Sequence, residues 1–191
     1  MAFRPIATTR SATGVPTGRL AIWWLIVSEI VIFGGVLCSY IMHRIAHPEW
    51  AYQAAHTNLW AGAVNTIVLL SSSVSAVLAH NAAEMGNGKK AAKFFGLTIL
   101  GGLIFLVIKS FEWAHEIHGG LVIQSSGFWG FYYTAAGIHA THVIVGMIVM
   151  GFVAWDGWNG KDLQRFEYAG IYWHFVDVVW IFLFPLLYIA S

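Results

Sequence analysis

The sequence predicts an all-α polytopic membrane protein with five transmembrane helices, its N-terminus cytoplasmic and its C-terminus outside. Three observations carry this reading. First, 58% of the 191 residues are hydrophobic and only 10% are charged, whereas a soluble domain carries about a quarter charged residues. Second, the apolar residues fall into five runs, approximately 20–43, 59–81, 92–114, 128–155 and 169–190, each near the roughly 20 residues that span a bilayer. Third, none of the runs alternates with period two, as the strands of a β-barrel would.

Taken in order, residues 1–18 are polar and basic, with Arg4 and Arg10, and read as a flexible tail ahead of a single domain over 19–191. The first apolar run is too long for a secretory signal, contains Glu29 and lacks a small-residue cleavage site. The second run holds "NTIVLLSSSVSAVLAH", rich in Ser and Ala, which suits close helix–helix packing. The third carries Lys109 within it. The fourth has Gly137, Gly146 and Gly151, which permit close approach. In the fifth, Pro185 predicts a kink or a packing irregularity. Trp23, Trp24, Trp60, Trp129 and Trp155 read as interfacial belt residues. Cys38, the lone cysteine, reads as a small buried apolar residue.

Orientation follows from Lys and Arg. Arg4, Arg10 and Arg19, then Lys89, Lys90 and Lys93, then Lys161 and Arg165 fall on one side of a five-span chain, with Arg44 alone opposite. The cation-rich side is cytoplasmic. The net charge of +1 implies no bulk attraction to nucleic acid. One cysteine can form neither an internal disulfide nor a thiolate metal site.

Polar residues within a span are costly, about 2.5–3.5 kcal/mol each for a charge at the helix centre on insertion scales, so each asks for a partner. Glu29 lies near mid-membrane and reads as a proton-binding group, a headgroup anchor or a lock between helices. His139 and His142 are three apart on one helix face. They could begin a metal or haem site, but a complete one needs further ligands. The preferred reading is interhelical hydrogen bonding, with one of the two reaching Glu29. His174 and Asp177 are also i and i+3, and Asp177 is placed to accept the His174 ring N–H. Lys109 and Glu112 form a third such pair, with Glu116 a turn later, and mid-helix Lys109 calls for Glu112 or a partner subunit. No P-loop and no nucleophile with its base is present.

Several stretches carry a resemblance. "YWHFVDVVWIFLF" at 172–184, "FYYTAAGIHATHVIVG" at 131–146, "LIVSEIVIFGG" at 25–35, "NTIVLLSSSVSAVLAH" at 65–80 and "FEWAHE" at 111–116 resemble, in order, the helices of subunit III of haem–copper oxidases, in its short five-helix bacterial form. The resemblance implies a non-catalytic subunit of a terminal oxidase that reduces O2 and translocates protons in a bacterial cytoplasmic membrane. It implies no cofactor on this chain, haem and copper in the partner subunits, and bound phospholipid. The implied partners are catalytic subunit I, with subunit II in the same complex, and a respiratory supercomplex is compatible with it. It makes Glu29, His139, His142, His174 and Asp177 buried polar residues tied to proton uptake or lipid, and places Glu29 near His139. Lys109 stands where the family leads one to expect a neutral polar residue. Three other readings stay open: a quinol oxidase, a nitric oxide reductase-type complex, and a stand-alone proton-coupled transporter using Glu29, His139 and Asp177.

Overall fold

The computed structural model describes residues 17–189. They form α1 (Thr17–Ala46), α2 (Trp50–Ala54), α3 (Leu59–Glu84), α4 (Gly88–His118), α5 (Gly127–Trp158) and α6 (Arg165–Phe184), and α6 continues into a π-helical turn, Pro185–Ile189. Five of these helices are long and apolar enough to cross a membrane, and the described residues contain no strand. The helices α1, α3, α4 and α5 outrun the apolar runs that predict them, and α6 begins four residues ahead of its run. The 30 residues of α1 extend about 45 Å, well beyond the roughly 30 Å hydrocarbon core, so helix ends stand in the headgroup zone. Of the tail expected over 1–18, residues 1–16 lie outside the described residues, and Thr17 and Gly18 already belong to α1.

Local chemistry sets the helix boundaries. Asn58, Asn87 and Ser126 cap α3, α4 and α5, each side chain accepting a backbone N–H three residues on. Two residues past the ends of the same three helices stand Gly86, Gly120 and Gly160, all with positive φ, the conformation that glycine adopts without strain. Pro185 has no N–H to return to the turn before it. The chain widens there into the π-helical turn, which is the irregularity expected at this proline.

In lipid, helices associate by close packing rather than by hydrophobic burial. The antiparallel pair α3–α4 is the most extensive contact, and its seam is the Ser/Ala stretch. A Cβ on Gly101 would lie 2.6 Å from Ser72 Cβ, so only glycine allows this approach. Of the three α5 glycines singled out from the sequence, Gly146 backs directly onto Trp173, whereas Gly151 faces open space. Trp173 and Trp180 of α6 are buried at the centre, and their indole N–H groups donate to Ser72 Oγ and Thr66 Oγ1, both at 3.0 Å.

By contrast α1 packs along one edge only, against α5 and α6. Polar ties hold it near both ends and the middle: Arg19 to Glu167, Glu29 to His142, and Tyr40, whose hydroxyl donates to the Leu186 carbonyl at 2.9 Å. This edge-on packing corrects the expectation for Cys38, which is exposed. A second correction concerns Trp129. Trp23, Trp24, Trp60 and Trp155 are exposed as belt residues should be, but Trp129 is buried against Phe128, Tyr132 and Tyr133.

Candidate functional site

Among the described residues, most charged groups of the spans gather into two centres, while Asn65, His139 and Asp177 have no hydrogen-bond partner. The first centre joins α1 to α5 at mid-membrane. His142 lies at the middle of the 32-residue α5. Its Nε2 is 2.9 Å from Glu29 Oε2, and its Nδ1 is 2.8 Å from the Ile138 carbonyl. A carbonyl only accepts, so Nδ1 carries a proton and donates it. The Nε2–Oε2 contact therefore holds a second proton, and the pair is neutral as a whole whichever partner owns it. Neutrality lets a carboxyl and an imidazole share a mid-membrane position without an uncompensated charge. Phe33 packs edge-on to the His142 ring, at 5.1 Å between centroids.

This pair forms part of the wall of a cavity of about 540 Å³ between α1, α5 and α6. Ile22, Leu25, Val145, Val149 and Val153 make its apolar lining, and Arg165 and Tyr168 stand at one end. Arg165 is bound there to Asp156 at 2.8 Å and to Asp162 at 3.0 Å. The slot thus runs from a charged rim at a helix end to a neutral polar pair at mid-membrane.

The second centre lies towards the opposite end, inside the bundle. The Lys109 ammonium, 2% exposed, contacts Glu112 Oε2 at 3.2 Å, the Tyr132 hydroxyl at 2.8 Å and the Tyr188 hydroxyl. Tyr132 in turn lies 3.0 Å from Glu112 Oε1 and 2.9 Å from Glu116 Oε1. The rings of Trp113, Tyr132, Trp180 and Tyr188 surround the ammonium at 4.6–5.7 Å, a cation–π cage that replaces part of its lost hydration. The π-helical turn is what brings Tyr188 into this cage. Here Lys109 meets Glu112 on its own helix rather than a partner subunit.

His174 and Asp177 do not pair with each other, which corrects the reading drawn from their spacing. His174 Nδ1 bonds Ser73 Oγ on α3 at 2.6 Å. Neither Asp177 oxygen has a hydrogen-bond partner, although Ser73 is near. His139 is corrected as well. The resemblance places it by Glu29, but the structure turns His142 there instead and buries His139 completely. Its ring stacks on Trp180 and meets Phe105 edge-on, with neither nitrogen bonded. Asn65, which sequence reasoning did not single out, is, among the described residues, the third fully buried polar side chain without a hydrogen-bond partner. Tyr132, Tyr188 and Ser73 were also missed. Tyrosine among apolar residues looks like belt or core, and only the fold shows which hydroxyl meets a charge. Among the described residues, no three His, Cys, Asp or Glu side chains gather where a metal ion could be held.

The sequence profile of cytochrome c oxidase subunit III matches residues 7–191. The chain belongs to the cytochrome c oxidase subunit III family. Its relatives include the "Cytochrome c oxidase subunit 3" of Corynebacterium diphtheriae, 36% identical over 167 residues, which covers 84% of this chain and 82% of that protein. The protein of the same name from Bacillus sp. (strain PS3) is 30% identical over 192 residues, 98% of this chain and 93% of its own length. That of Thermostichus vulcanus is 30% identical over 171 residues, with 87% and 84% covered. As a subunit III of the haem–copper oxidases, the chain is a multi-pass membrane component of an oxidase complex.

Proposed function

We propose that this subunit III is a non-catalytic member of a terminal oxidase in a bacterial cytoplasmic membrane, where the complex reduces O2 to water and translocates protons. Subunits I and II are its partners in this reading, and they carry the haem and copper. The match of the subunit III family over nearly the whole chain carries the proposal. The polar centres support a supporting rather than a catalytic role, because the charged groups of the bundle are spent largely on one another. Glu29 and His142, holding a proton between them at mid-membrane, are the groups through which the chain assists proton uptake. The apolar slot beside them takes a phospholipid acyl chain, and its volume lies within the range of ordinary ligand pockets, roughly 300–1,000 Å³.

The transmembrane domain begins with α1, two residues before the start at 19 that the sequence suggests, with the N-terminus cytoplasmic and the C-terminus outside. In support, Arg19, Lys89, Lys161 and Arg165 belong to one end of the bundle, where Arg19 bonds Glu167, and cations collect on the cytoplasmic side.

The test is a pull-down of the tagged chain from native membranes in mild detergent, read by a reduced-minus-oxidised visible spectrum and peptide identification. Haem bands with a many-helix catalytic subunit are expected. A colourless chain that elutes alone, under conditions that keep other complexes intact, would refute the reading.

A further inference from the structure

Among the described residues, the Lys109 centre is the largest group of titratable side chains in the interior. It contains one ammonium and two carboxyl groups, so with all three ionised it carries a net negative charge away from water. Lys109 offsets Glu112, its direct partner at 3.2 Å. Glu116 is 4% exposed and has no cation within bonding distance among the described residues.

Donor geometry at Glu116 sharpens the imbalance. Its Oε1 lies 2.9 Å from the Tyr132 hydroxyl, whose single proton is also sought by Glu112 Oε1 at 3.0 Å. Its Oε2 meets only the Tyr133 hydroxyl, at 3.4 Å. Tyr133 already has a better acceptor, the Leu121 carbonyl at 2.7 Å. Glu112 also has the Lys109 ammonium and the Tyr188 hydroxyl beside it, whereas Glu116 has no donor but the shared Tyr132 proton, the Tyr133 proton being directed away. A buried carboxylate short of donors is costly. A proton on Oε2 removes the shortage, because the acid O–H then donates to a lone pair of the Tyr133 hydroxyl, whose own O–H donates to the Leu121 carbonyl.

A route to water is present. A groove of about 280 Å³ between α3 and α4 is lined by Glu112 and Glu116 together with His56, Asn58 and His115. Glu116 belongs to the last turn of α4, and Leu121 lies in the loop beyond it. We infer that Glu116 is a proton-binding site that exchanges with the aqueous phase at the end of the bundle opposite Arg19 and Arg165. The groups that face it are Lys109 and Glu112 on α4, Tyr132 and Tyr133 on α5, and Tyr188 on the π-helical turn, which reaches it through Tyr132. His115 on α4 and His56 ahead of α3 complete the set in the groove. Binding the proton neutralises the centre and so holds α4, α5 and the C-terminal turn together.

The test uses the intact complex containing this chain. Retention of the subunit is measured against sodium dodecyl sulfate at a series of pH values for the natural chain and for Glu116→Gln, whose neutral amide imitates the protonated acid. The native state binds one more proton than a dissociated chain with an ordinary carboxyl. Retention is therefore expected to weaken as pH rises, by up to about tenfold in the equilibrium per pH unit. Glu116→Gln should remove that slope while leaving the contribution of the histidines. Equal slopes in the two proteins would overturn the inference. Infrared difference spectroscopy decides the matter if Glu116→Gln fails to assemble. The natural chain in H2O and D2O should show the exchangeable carbonyl stretch of a neutral carboxylic acid, lost as the outer pH is raised and insensitive to both Asp177→Asn and Glu29→Gln. Its absence, or its loss in either variant, would also overturn the inference.

Discussion

Removing the Lys109 ammonium tests how the bundle tolerates charge. Lys109→Met keeps the length of the side chain and most of its apolar contact, but takes away the cation that meets Glu112, Tyr132 and Tyr188. Glu112, 6% exposed, is left with an unpaired carboxylate in the same apolar cage. Breaking a buried ion pair by deleting one partner costs about 3–5 kcal/mol. That corresponds to roughly two to almost four powers of ten in the dissociation equilibrium. The readout is the sodium dodecyl sulfate concentration at which half of the subunit leaves the purified complex. The double variant Lys109→Met with Glu112→Gln removes the charge left behind and should recover at least half of the loss, because apolar or neutral replacements of a buried pair are often tolerated. A single variant that dissociates within about 0.5 kcal/mol of the natural chain would refute the reasoning. So would a double variant no more stable than the single one, since the penalty would then not come from an abandoned charge.

Three further predictions follow from the same geometry. Gly101→Ile should separate α3 from α4 and abolish incorporation of the subunit, because its Cβ alone would meet Ser72 at 2.6 Å; normal levels in purified complex would show that this seam yields. Asp177→Asn should alter subunit retention by less than about 1 kcal/mol, since neither carboxyl oxygen has a hydrogen bond to lose; a loss of several kcal/mol would reveal a partner for that carboxyl. In a Cys38→Ser background, Lys161→Cys should react with a membrane-impermeant maleimide only in inverted vesicles, and Ser125→Cys only in intact cells. The reverse pattern would overturn the orientation.

The sequence by itself determined the number of membrane-spanning helices, their order and their approximate limits, but not the short α2 between the first two. Those depend on one-body properties: a run of apolar residues is driven into lipid, and asparagine, serine and glycine mark its ends, wherever the neighbouring helices lie. It also identified Glu29, Lys109 and Asp177 as groups that need an explanation, because the cost of a polar atom in hydrocarbon is local. What it could not determine was partnership. His139 and His142 are i and i+3, so spacing puts both on one side of α5. The rotation of that helix about its own axis decides which of them faces α1, and that rotation is fixed by Trp173 against Gly146 and by Trp180 against His139. For the same reason His174 bonds across to Ser73 rather than along its helix to Asp177. The Lys109 cage lay further still beyond the sequence. It needs hydroxyls from α5 and from a π-helical turn, 23 and 79 residues away along the chain. Only tertiary structure brings such distant groups together, since a hydrogen bond depends on ångström-scale position and direction, while burial in lipid depends on neither.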